Sequence, residues 1–130
     1  MKKFDELIQS ADWKAEKHVP VIEIIKKAEK GKPVEVSASV GKEIAHPNTT
    51  AHHINWIELY FLADGEKFPY MISRTEFGAH GASVEGPDTS SIYTHPSVNV
   101  NFISEKSGII YAFSYCNIHG LWTNSEALTF

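Results

Sequence analysis

The 130-residue chain carries one cysteine and seven histidines. Cys116-Asn117-Ile118-His119 closes a predicted strand and turns at Gly120. A thiolate and an imidazole three residues apart across a tight turn can hold one metal ion together. Taken alone, the spacing is weak, because Cys116 reads equally well as a small buried hydrophobe. His46-Pro47-Asn48-Thr49-Thr50-Ala51-His52-His53 lies between two predicted strands, and Pro47 restricts the backbone there. Side chains alternate along a strand, so His52 and His53 cannot both turn inward once the next strand has begun. One is a ligand candidate and the other a surface or interface residue; the plainer alternative is two solvated loop histidines. Glu16-Lys17-His18-Val19-Pro20 sets both charges beside an imidazole, or is an ordinary charged turn before a strand.

Together the three clusters offer four imidazoles and one thiolate. Structural zinc prefers four donors in a tetrahedron. Five N/S donors suit iron with one coordination position left open. A divalent ion with one thiolate and four neutral imidazoles keeps a net positive charge, which attracts an anion. The formal charge of the chain is −4, which argues against nucleic-acid binding through a general basic surface. One cysteine excludes an intramolecular disulfide and any four-cysteine iron or zinc centre built by this chain alone. No apolar run approaches the roughly 20 residues of a membrane span. The opening Met1-Lys2-Lys3-Phe4-Asp5-Glu6 lacks the apolar stretch of a secretory signal, so a cytoplasmic location is expected.

The elements that must position these groups have mostly a period of two. Val34, Val36, Ala38 and Val40 alternate with polar residues or glycine, as in a half-buried strand. Ile54 to Ala63 is apolar on both faces, with Trp56 and Tyr60 opposite Ile57, Leu59 and Phe61. It is read as a central strand, or one whose outer face meets another subunit. Asp64-Gly65-Glu66-Lys67 links it to a strand marked by Phe68, Tyr70 and Ile72. Val98, Val100 and Phe102 mark another strand; Ile109, Tyr111, Phe113 and Tyr115 a further one; Ala127 to Phe130 closes the sheet. Phe4, Leu7 and Ile8 are spaced for a short amphipathic helix. Lys26 to Pro33 and the glycine-rich stretch from Gly78 to Pro87 are loop-like. With 42% hydrophobic and 22% charged residues, residues 1–130 are expected to fold as a single domain. The expected architecture is an all-β, antiparallel sandwich of about seven strands with a short N-terminal helix.

At the three clusters the sequence resembles the superoxide reductases of the one-iron, neelaredoxin-like type. The carriers are Glu16-Lys17-His18-Val19-Pro20, then Gly41 to Thr50 running into His52-His53-Ile54, then Ser114-Tyr115-Cys116-Asn117-Ile118-His119-Gly120-Leu121-Trp122. The resemblance covers nearly the whole chain, with three motifs in order and matching internal spacing. It implies an immunoglobulin-like β-sandwich with one mononuclear iron per chain, cycling between Fe2+ and Fe3+. Carried over by position, the equatorial ligands are His18, His46, His52 and His119, and the axial ligand is Cys116. Glu16 matches the carboxylate that takes the sixth position in the ferric state, and Lys17 the lysine beside the open site. His53, His80 and His95 match no ligand position. Ala45 and Ala51 stand where a proline and a glutamate are common, and neither change removes a ligand. The cysteine-rich amino-terminal iron module of the desulfoferrodoxin branch is not expected, as the cysteine count requires.

The activity implied is an oxidoreductase reaction that takes superoxide to hydrogen peroxide without dioxygen, as oxidative-stress defence. Lys17 is expected to steer the anion. The chain has no rubredoxin-type centre of its own, so the resemblance implies rubredoxin or a similar small electron donor. It also implies a homo-oligomer, a tetramer by preference. A cupredoxin-like copper carrier is the alternative of a different class, and a zinc-binding β-domain a third. Against the copper reading, the only methionines are Met1 and Met71, and none follows His119.

Overall fold

A computed structural model describes residues 1–130. Seven strands follow one another: β1 Val21–Ile24, β2 Pro33–Ser39, β3 Ile54–Ala63, β4 Tyr70–Glu76, β5 Ser97–Ile103, β6 Gly108–Cys116 and β7 Gly120–Leu128. They form a three-stranded sheet in the order β1-β2-β5 and a four-stranded sheet in the order β4-β3-β6-β7. All neighbours pair antiparallel.

Period-two patterning explains how the sheets meet. Val34, Val36 and Ala38 of β2 turn inward, as do Ile57, Leu59, Phe61 and Ala63 of β3 and Ile110, Ala112 and Cys116 of β6. These side chains form one continuous core between the sheets, and Phe61 meets Phe102 across it with ring centroids 5.1 Å apart. Full burial of each large aliphatic side chain contributes about 1.5–3 kcal/mol. The architecture is the expected antiparallel sandwich, three strands on four.

Three local expectations need correction. Residues Phe4–Leu7 form only a single 3-10 turn with no buried residue, where the apolar spacing predicts an amphipathic helix to Gln9. Gln9 is drawn away to bridge Trp122: its N–H donates to Leu121 O at 3.0 Å, and its carbonyl accepts from Thr123 N at 2.8 Å. The last strand starts at Gly120, well before Ala127, because the polar run Thr123-Asn124-Ser125-Glu126 disguises it. Phe68 stands exposed ahead of β4 and is not part of it.

The outer face of the larger sheet is unusually aromatic. Trp56 stacks on Tyr115 at 5.7 Å, and Tyr60 meets Phe113 edge-on at 5.8 Å. Arg74 lies 4.7 Å above the Trp56 ring while its Nη1 donates to Glu58 at 2.7 Å. With Phe4, Ile8 and Leu121, this face frames an apolar hollow of about 660 Å³.

Candidate metal centre

The candidate donors come from three connections at one end of the sandwich. His18 lies in the turn that leads into β1. Ser114 of β6 donates its Oγ–H to His18 O at 3.1 Å, and Asn124 of β7 donates to Pro20 O at 3.0 Å, tying this segment to the larger sheet. His46 and His52 lie on the β2–β3 connection. Gly41 opens that connection with φ +90°, and a Cβ there would lie 2.7 Å from the backbone nitrogen of His46. Cys116 is the last residue of β6 and His119 the last before β7, joined by a turn that Gly120 closes at φ +80°.

Four of these residues face one another closely. One atom from each of His18, His52, Cys116 and His119 lies within 4.8 Å of the other three. His119 Nδ1 is the hub: it is 3.1 Å from His18 Nε2, 3.2 Å from His52 Nε2 and 3.8 Å from Cys116 Sγ. His46 stands just outside this group, its ring centroid 4.8 Å from that of His18 and 4.7 Å from that of His52. Cys116 is fully buried and His119 exposed, so the thiol forms the floor and an imidazole the mouth. The His119 backbone N–H donates to Cys116 Sγ at 3.3 Å, which stabilises a thiolate.

Hydrogen bonds at the far sides of the rings direct the free nitrogens inward. His18 Nδ1–H donates to Glu16 Oε1 at 2.6 Å, and its Nε2 faces His119. This bond holds the Glu16 carboxyl below its ordinary range, against the opposing effect of burial. His46 Nδ1–H donates to Pro47 O at 2.7 Å, and its Nε2 is buried with no hydrogen-bond partner. Burial pushes His46 down to about 4, against the carbonyl of Pro47, and lowers His52 as well, with His119 adding to the effect. Ring nitrogens of His18, His52 and His119 therefore face a common space beside a thiol. The 3.1–3.2 Å contacts of His119 Nδ1 with His18 Nε2 and His52 Nε2 suit an N–H···N bond or a shared cation, and the buried His46 Nε2 has no partner at all without one. The residues fit a metal ion. A carboxylate on the outer nitrogen of a ligating histidine is the usual supporting arrangement.

An open cleft of about 520 Å³ leads to this cluster, lined by Glu16, Lys17, His18, Ile44, His119 and Trp122. Lys17 is thus beside the entrance. His53 turns away from the cluster and stacks on His80, centroids 3.6 Å apart and planes within 7°. His95 is exposed. Three residues of structural weight escape a reading of the sequence. Trp122 lies flat over His18, Gly41 makes room for His46, and Asn117 binds the backbone on both sides of His52. The positive φ demanded at Gly41 has a partial signal, a glycine at a strand end; the other two contacts have none.

A seven-stranded sandwich with a His/Cys donor cluster on the loops of one end defines a class of metal-binding β-proteins. Within it, the chain belongs to the desulfoferrodoxin family, whose model matches residues 10–125. Superoxide reductase from Pyrococcus furiosus is 57% identical over 123 residues, 95% of this chain and 97% of that protein. Neelaredoxin from Megalodesulfovibrio gigas is 46% identical over 126 residues, 97% of each chain. Among solved structures, superoxide reductase (neelaredoxin) from Archaeoglobus fulgidus in the reduced form superposes with a TM-score of 0.90. It shares 62% sequence identity, covering 95% of this chain and 99% of that one.

Proposed function

We propose that this chain is a superoxide reductase that takes superoxide, one electron and two protons to hydrogen peroxide at a single iron. His18, His46, His52, His119 and Cys116 would hold the iron. The observation that carries the reading is the convergence of three imidazoles on a buried thiol, with the His46 ring beside two of them, where an open cleft reaches His18 and His119. Iron, when bound, supplies the electron that superoxide takes.

The chain's own groups do the rest. Lys17 draws the anion to the cleft mouth against the net −4 of the chain, and its Nζ orients the water that delivers protons. Cys116, whose Sγ accepts the His119 amide N–H, would be the electron-rich donor to the ion. Glu16 fixes the His18 ring through Oε1, and its carboxylate would be a further ligand for ferric iron. A copper carrier uses fewer imidazoles than converge here, so the iron reading accounts for more of the site.

Residues 1–130 act as one domain, and a rubredoxin-like carrier returns the electron. The aromatic outer face of β3 and β6 is the surface covered by further copies of the chain, a tetramer by preference. No helix is long and apolar enough to cross a membrane, and a cytoplasmic location is proposed. Metal analysis followed by superoxide pulses tests the reading. Iron with a visible ferric band, and peroxide formed without dioxygen, are expected; copper, zinc, or dioxygen evolution in step with peroxide overturns it. Cys116→Ser should abolish the band and turnover. Lys17→Ala should slow the second-order reaction and flatten its salt dependence, with the band unchanged.

A further inference from the structure

Asn117 is exposed, yet both halves of its side-chain amide are committed to the backbone of another loop. Its Oδ1 accepts the His53 N–H at 2.8 Å, and its Nδ2 donates to Ala51 O at 2.9 Å. These two groups flank His52. The Asn117 backbone N–H adds a bond to His53 O at 3.2 Å.

The regular ladder between β3 and β6 breaks near here, with a register shift between Ile54 and Trp56, and its last pair is Ile54 with Cys116. Beyond that pair the Asn117 N–H to His53 O bond is the one backbone hydrogen bond between the His52 segment and the Cys116–His119 turn. The Asn117 side-chain amide adds to that single bond, offering one acceptor and one donor where further strand pairs would. A solvated side chain held this way loses rotamer freedom, and each neutral bond returns only about 1 kcal/mol. Its distinctive effect is to hold two donor-bearing turns at one separation.

We propose that Asn117 is a positioning residue that sets how far His52 lies from Cys116 and His119, and so how tightly the centre grips a metal. The inference rests on the metal centre proposed above.

The test uses the full chain loaded with Co2+ alone, with affinity from chelator competition and the sulfur-to-cobalt band from absorption. Thermal unfolding of the metal-free chain runs in parallel. N117A should weaken Co2+ binding by about tenfold or more, the scale seen when supporting contacts around metal ligands are lost. It should also shift the band, while metal-free melting changes little. N117D keeps the acceptor for His53 N–H but faces Ala51 O with an anion, and should also weaken binding and shift the band. It carries the same readouts if N117A does not fold. Parental affinity and band in the variant overturn the inference, as does weaker binding that only tracks lost stability with an unmoved band. A parent chain that takes up no Co2+ overturns the metal centre itself, which separates the two failures.

Discussion

The indole of Trp122 lies flat against the imidazole of His18, ring centroids 5.0 Å apart and planes within 14°. The same indole donates its Nε1–H to His119 O at 3.2 Å. One buried side chain therefore braces two donors that stand 101 residues apart in the chain. W122F keeps a flat ring on His18 and loses only the hydrogen bond, so chemical denaturation of the metal-free chain should show a loss of about 1 kcal/mol. W122A empties the site and should cost about 3–5 kcal/mol. Equal midpoints for the two variants would remove the stacking role.

Gly41→Ala attacks His46 without touching it. The φ of +90° disfavours any Cβ, and the added methyl would lie 2.7 Å from the His46 backbone nitrogen. The strain should cost more than about 1 kcal/mol. The loop must move, taking the His46 Nε2 off its aim, so metal affinity should fall by more than the stability loss explains. Chelator competition beside urea melts reads both quantities.

Gly108→Ala makes the complementary control at the other end of the sandwich. A Cβ there would collide with Leu62 O, lie 2.7 Å from Phe61 Cζ and 2.9 Å from Ala63 Cα, most of it rigid backbone. Overpacking of this kind costs about 1–3 kcal/mol. The urea midpoint should drop while metal affinity at the far end stays at the parental value.

Acid should weaken the metal-free fold, and His80 should contribute. Burial lowers its affinity for a proton against the Phe77 carbonyl, and the stacked His53 adds to the lowering. Below about 6.5 the unfolded chain takes up a proton that folded His80 resists, so stability falls as pH falls. His46, pushed down to about 4, and His52 act in the same direction. His80→Gln should make the urea midpoint less sensitive to pH between about 7.5 and about 5.5, the range around the ordinary histidine value. An unchanged slope would take His80 out of the account.

Strands with a clean two-residue alternation are legible in the sequence. β3 can be bounded to the residue, because Ile57, Leu59 and Phe61 repeat on one face with turn residues following. β1, which directly follows Pro20, is too short to show a period, and β7 hides behind its polar stretch. The short N-terminal helix is present as one 3-10 turn, and it stops at Leu7 for a tertiary reason: Gln9 finds backbone partners beside Trp122. At the site, residue types and spacing single out the three clusters, but they leave His52 and His53 undecided. The start of β3 at Ile54 and the stacking of His53 on His80 separate the two. The individual roles come from family resemblance. Asn117 is illegible because its partners lie 64 and 66 residues away.

Ser114 and Asn124 already tie the lead-in of β1 to β6 and β7, and the donors at the same end extend that link. His18 and His119 are 101 residues apart in sequence, so an ion held by both would close most of the chain into one loop. Cross-links of that span restrict the unfolded chain most. A protein with no possible internal disulfide would thus own a reversible staple, engaged only while metal is in supply. Starved of metal, it would open first at the end where its substrate enters, and its lifetime in the cell would follow the metal ration.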